Sequence, residues 1–188
     1  MTDKEILESE KLRTYELVGR NVLLFQQMEG LLKSLLPAAS LEGRDATGLT
    51  TKHQKKRANI EGQTLGRLVN DFIDELMVTE AESADKDRAT PGVAISFRLV
   101  FKSEKEMKER QQRLIDLVAD RNHLVHHFHS DLDHDNLESW RSARSSLKAL
   151  RSRTQNEIEA LRKLAQSRKT FSEALSHPVV RSELTRPR

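Results

Sequence analysis

The sequence predicts an all-α protein, a four-to-five-helix up-and-down bundle with a short extended or β segment near 93–101. Three observations carry that class. Apolar residues recur at helical spacing through long runs free of proline, and only one run alternates with period two. Hydrophobic residues make up 36 % of the chain and aromatics 4 %, while charged residues reach 32 %. That balance suits amphipathic helices, which bury one stripe and solvate the other, and it is poor for a sandwich or a large mixed sheet. A length of 188 residues fits one domain, read here as a helical bundle over 1–176 and a C-terminal tail over 177–188.

The first helix is predicted from about Ser9 to Leu36, with Tyr15, Val18, Val22, Phe25, Leu32 and Leu35 on one stripe and a stop at Pro37. Residues Ala38 to Gly62 read as a linker carrying Gly43, Gly48 and the basic run 52–57, a solvated loop. A second helix follows, with Leu65, Leu68, Val69, Phe72, Leu76 and Met77 on one face. Glu80 to Thr90 is charged and loop-like, and Pro91-Gly92 punctuates it. From Val93 to Phe101 the alternation reads as one strand or extended arm, which should dock on the helices or pair with a second copy. Ser103 with Glu106 resembles a capping box opening a third helix that runs to about Phe128. Asp131 to Asn136 is a polar break, with Asp135 or Asn136 as the next N-cap. The last helix carries Trp140, Leu147, Leu150, Ile158, Leu161 and Leu164, and a tail begins beyond about Leu175.

Several function classes are excluded at this level. Without cysteine there is no disulfide framework and no thiolate metal site. No run of about 18 apolar residues exists to span a membrane. Residues 1–10 are acidic and polar, unlike a signal peptide, so a cytoplasmic protein without a membrane partner is expected. The formal net charge is only +3, but basic residues crowd the segment after Trp140. Such a field is either a solvated helix face or an attraction for nucleic acid.

Five of the seven histidines fall between positions 123 and 134. Histidine can trade protons near neutral pH, and arginine fits phosphate oxygens with a rigid donor fork. On a helix, Leu114, Leu117, Val118, Leu124, Val125 and Phe128 form one apolar stripe, with Arg121 near its middle. A guanidinium there needs a carboxylate, a phosphate or a subunit interface. Asn122 and His126 share the adjoining flank, and His123 and His127 lie on the wetter side. His123 and His127 have the spacing of two metal ligands, with His134 or Asp131 as a third. No glutamate follows His123 as in metalloprotease helices, so neither a metal nor a cofactor is expected.

Arg121-Asn122-His123-Leu124-Val125-His126 resembles the signature of the HEPN superfamily: arginine, a polar residue, a short spacer, then histidine. The spacer is four residues to His126 or five to His127. The setting is similar too, a helical bundle with the motif near the end of a late helix. The continuation His126-His127-Phe128 is similar to toxins in which an aromatic follows the histidine. In one toxin branch that aromatic is a tyrosine modified by a partner nucleotidyltransferase; Phe128 has no hydroxyl to modify.

The resemblance implies metal-independent RNA cleavage, by a toxin or phage-defence component, in which a ribose 2′-hydroxyl attacks the adjacent phosphate. His126 is then the general base or acid, Arg121 stabilises transition-state charge, and Asn122 orients the phosphate or His126. His123 and His127 are auxiliary groups. Residues five apart diverge by about 140° on an ideal helix, so the implied site is composite, formed where the motif helices of a homodimer meet. RNA is the implied partner, with an antitoxin or nucleotidyltransferase as a further one. The alternative is a non-catalytic helical module that uses the same motif to hold RNA, a nucleotide or a partner protein.

Overall fold

Thr2 starts the first helix earlier than apolar spacing alone suggests. Its hydroxyl accepts the Glu5 amide at 3.3 Å and the Glu5 carboxylate accepts the Thr2 amide at 2.7 Å, a complete capping box. Helix α1 therefore runs Asp3–Leu35, ending in a short 3-10 turn at Leu36–Ala38. In this computed structural model, which describes residues 2–43, 46–86 and 93–176, the order continues as β1 (Ser40–Gly43), α2 (Ala46–Glu61), α3 (Leu65–Leu76) and β2 (Met77–Thr79). Then come α4 (Glu80–Lys86), β3 (Val93–Ser96), β4 (Leu99–Phe101), α5 (Glu104–His126) and α6 (Leu137–Ser176). The tail expected over 177–188 and the Pro91-Gly92 punctuation lie outside the described residues.

The mainly helical class holds, and four expectations change. The linker over Ala38 to Gly62 contains β1 and α2. Its polar surface carries no apolar stripe, and α2 is anchored instead by buried Ile60 and an ion pair from Lys56 to Glu75 of α3. The loop expected from Glu80 begins as α4, because Thr79 and Glu82 exchange amide hydrogen bonds as a cap. The strand expected over Val93 to Phe101 is two strands, broken at Phe97 and Arg98. Each finds its partner within the chain: β3 pairs antiparallel with β1, Ser40 opposite Ser96, and β4 pairs parallel with β2, Met77 opposite Leu99.

The fourth change concerns direction. The Asn21 amide donates to the Leu147 carbonyl at 3.1 Å, the Thr14 hydroxyl to that of Trp140 at 3.5 Å. Arg144 pairs with Glu10 at 2.7 Å, and the Arg168 guanidinium donates to the Ser34 carbonyl at 2.5 Å. Partners advance together along both chains, so α1 and α6 run parallel. Of the four-to-five-helix up-and-down expectation this removes the four-helix case, which places the first and last helices antiparallel, and agrees with the five-helix case. Because 24 residues separate Glu10 from Ser34 and Arg144 from Arg168 alike, the register holds for about 36 Å at 1.5 Å per residue.

Burial along α1 explains the seam. Glu10, Thr14, Leu17, Asn21, Phe25, Met28, Leu32 and Leu35 are buried, a spacing of three and four residues. The first half of that stripe is largely polar, and Glu10, Thr14 and Asn21 bond α6. The second half is apolar and enters a core with Leu68 and Phe72 of α3, Leu114 of α5 and Ile158 and Leu161 of α6. Buried polar groups tolerate only one register, since a shift strands them without partners. Helix α3 approaches α5 closely at Gly66, where an added Cβ would meet a Val118 methyl at 3.3 Å.

Candidate functional site

Helix α5 is opened by the Ser103 hydroxyl, which accepts the Glu106 amide at 3.2 Å, and it ends at His126. The chain then turns tightly, with the amides of His127 and Phe128 both donating to the His123 carbonyl. Asn136 caps α6, its side-chain oxygen accepting the Glu138 amide at 2.9 Å and the Ser139 amide at 3.4 Å. Between them the Trp140 indole donates to the His134 carbonyl at 3.2 Å, and the rings of His129 and His134 lie 4.4 Å apart. The hairpin is thus pinned at its tip, and α5 and α6 leave it antiparallel. Arg110 meets Glu157 at 2.6 Å, and Arg153 meets Asp120 at 2.9 Å.

Leu114, Leu117 and Leu124 form the buried stripe of α5. Arg121 stands between the last two of them, half-buried. Its guanidinium donates to the Asn122 side-chain oxygen at 3.0 Å, and it pairs with no carboxylate among the described residues. Asn122 is therefore held by Arg121 and turned toward it. His126 is exposed in the last turn, makes no hydrogen bond among the described residues, and has the His127 ring 6.3 Å away. Arg121 and Asn122 are brought together within one chain; His126 is not joined to them.

Val125 departs from the expected stripe. It is 47 % exposed, and Ile115 is 45 % exposed. By helical geometry both lie toward the side of α5 that carries Asn122 and His126, and close to half of each side chain is left open to solvent.

His123 and His127 have ring centroids 6.2 Å apart, but His123 is engaged elsewhere: its Nε2 lies 2.7 Å from an Asp131 carboxylate oxygen across the turn. Among the described residues no group of three histidine or carboxylate side chains is placed to hold a metal ion. The His123–Asp131 pair instead borders a cleft of about 370 Å³ between α5 and α6. Leu124, Phe128, Leu147 and Leu150 supply its apolar lining, and Ser142 and Ser146 its hydroxyls. Past Arg153 the groove continues into a second hollow of about 350 Å³ beside Arg113 and Asn156.

Nothing in the sequence singled out this cleft. The available signal was the small set Ser139, Ser142, Ala143 and Ser146, whose spacing puts short side chains on one flank of α6. Asp131 was expected near His123 as a possible third metal ligand, and the turn instead brings it into a direct pair with His123. The basic character of α6 is partly spent on structure: Arg144, Arg153 and Arg168 have partners on α1 or α5. Lys148, Arg151 and Arg162 form no ion pair among the described residues. No helix is long and apolar enough to cross a membrane among the described residues. Compared with family models, curated proteins and solved structures, the chain shows no match.

Proposed function

We propose that this chain is a HEPN-like, metal-independent endoribonuclease, a toxin or phage-defence component, acting where two copies of α5 meet. The observation that carries the reading is Arg121. A half-buried guanidinium whose side-chain partner among the described residues is Asn122 alone keeps donors free for an anion, and phosphate is the anion whose geometry matches its fork. The exposed aliphatics Val125 and Ile115 support a second copy on that flank, since covering them removes apolar surface from water. An isologous contact along α5 would bring Arg121 of one copy toward His126 of the other.

In the reaction, His126 takes the proton of a ribose 2′-hydroxyl. The bond from O2′ to phosphorus forms, and the bond from phosphorus to O5′ breaks. The auxiliary histidine His127 returns a proton to the leaving oxygen. The products are a 2′,3′-cyclic phosphate and a free 5′-hydroxyl. Arg121 and Asn122 hold the non-bridging oxygens while charge builds on them. In EDTA, purified protein is expected to cleave RNA, and Arg121→Ala and His126→Ala are each expected to lower kcat by about a hundredfold or more without loss of fold. Cleavage that is unchanged in both variants, or that requires added metal, removes the reading.

A non-catalytic role in holding RNA, a nucleotide or a partner protein is favoured by one observation: among the described residues the His126 ring has no hydrogen-bond partner to orient it as a base. That role is marked by salt-sensitive RNA binding that leaves the RNA intact.

A further inference from the structure

The cleft between α5 and α6 lies on the other side of α5 from Asn122 and His126, and its chemistry differs from theirs. Its volume of about 370 Å³ falls in the roughly 300–1,000 Å³ range of small-molecule sites. The lining joins buried Leu124, Leu147 and Leu150 to the aromatic side chains of Phe128 and His123. Around it stand groups that donate and accept hydrogen bonds. The hydroxyls of Ser142 and Ser146 make none among the described residues and are free to bond a guest.

Charge decides which guest fits. Arg153 is matched by Asp120 at 2.9 Å, and His123 is matched by Asp131 at 2.7 Å. The cleft therefore holds no uncompensated cation, which argues against a phosphate. A flat ring with an apolar face and a hydrogen-bonding edge fits instead. We infer that this cleft binds one unpaired nucleobase, with the ring on the apolar lining and its polar edge on Ser142, Ser146 and Asp131. Unstacked bases are recognised in this way, by stacking on aromatic side chains and hydrogen bonding along an edge.

The two flanks of α5 then divide the work. Arg121, which meets no carboxylate among the described residues, takes phosphate on one side, and the cleft, which offers no free cation among them, takes a base on the other. A helix is about 10–12 Å across, so a strand of a few nucleotides passing the end of α5 reaches both. The RNA context rests on the function proposed above; binding of a free base does not. It also follows that single-stranded RNA is the preferred substrate, because a paired base cannot leave its stack without added cost.

The test is a titration of the full ¹⁵N-labelled chain with adenosine, guanosine, cytidine and uridine at millimolar concentration, with ribose 5-phosphate as the control. Amide shifts over residues 128–132 and 139–150 are expected with at least one nucleoside and are absent there with ribose 5-phosphate, whose phosphate is expected to shift only residues around Arg121. Ser146→Leu projects into the cleft from an exposed helical position and is expected to weaken that binding roughly tenfold or more. Ser142→Leu serves the same purpose should Ser146→Leu disturb the rest of the spectrum. No shifts in the cleft with any nucleoside, equal shifts with ribose 5-phosphate, or binding unchanged in both variants overturns the assignment. The RNA reading fails separately, through absent cleavage in EDTA. A chain that cleaves RNA but ignores nucleosides loses only the base site.

Discussion

Helix α6 packs against α1 and α5 and treats them differently. Against α1 it forms a parallel seam of constant register, with Thr14 and Asn21 hydrogen-bonded to its backbone and Phe25 to Leu35 continuing into the core. Against α5 it is held by the Arg110–Glu157 and Arg153–Asp120 ion pairs, and small side chains leave a cleft between the contacts. One side of the helix is committed to stability and the other to open, polar surface. Rigid packing on the first side allows the second to stay incompletely filled, which is the usual arrangement of a ligand site on a stable scaffold.

The contrast can be broken most forcefully on the seam. Trp140 is fully buried, stacks edge-on against Tyr15 at 5.3 Å and anchors the hairpin through its indole hydrogen bond. Trp140→Ala is expected to cost about 3–5 kcal/mol in chemical denaturation, as for other large aromatics removed from cores. A smaller loss is expected where α5 meets α6. Glu157→Ala leaves the Arg110 guanidinium without its carboxylate in a mostly buried position. It should cost about 2–3 kcal/mol, somewhat less than the roughly 3–5 kcal/mol of a fully buried pair, because water reaches part of Arg110. The smallest effect belongs to the cleft itself. Ser146→Leu is expected to change stability by about 0.5 kcal/mol or less, since no packed neighbour is displaced. Denaturation midpoints of the three variants check the order, and a Ser146→Leu loss as large as that of Glu157→Ala would mean the cleft is part of the core.

The same contrast explains what the sequence made legible. Helices α1, α3, α5 and α6 are legible because each carries apolar residues at three- and four-residue intervals; Asn136 caps α6 as expected, and Ser103 caps α5 through its hydroxyl half of the expected box. Helix α2 was hidden because its sequence carries no regular apolar stripe, and among the described side chains it is anchored by Ile60 and the Lys56–Glu75 ion pair. The pairings of β1 with β3 and β2 with β4 join segments far apart in sequence, which local periodicity does not encode. Arg121 and Asn122 stood out from helical geometry alone, while Val125 was assigned to the core by a stripe that the fold leaves uncovered at that point. Histidine spacing suggested a His123–His127 pair, yet the turn after Phe128 delivers Asp131 to His123. Spacing within one helix can be read from sequence, but a contact made across a turn depends on where the chain reverses.

The most direct measurement of the composite phosphodiester site is complementation between two inactive proteins. Arg121→Ala and His126→Ala variants, each purified alone, are mixed, allowed to exchange subunits and assayed for RNA cleavage in EDTA. In a mixed pair one of the two sites receives an intact Arg121 from one copy and an intact His126 from the other. Recovery to about a quarter of wild-type activity is expected, the statistical share of intact sites in randomly exchanged two-fold dimers. No recovery, with subunit exchange demonstrated, would contradict a site assembled from two copies of α5.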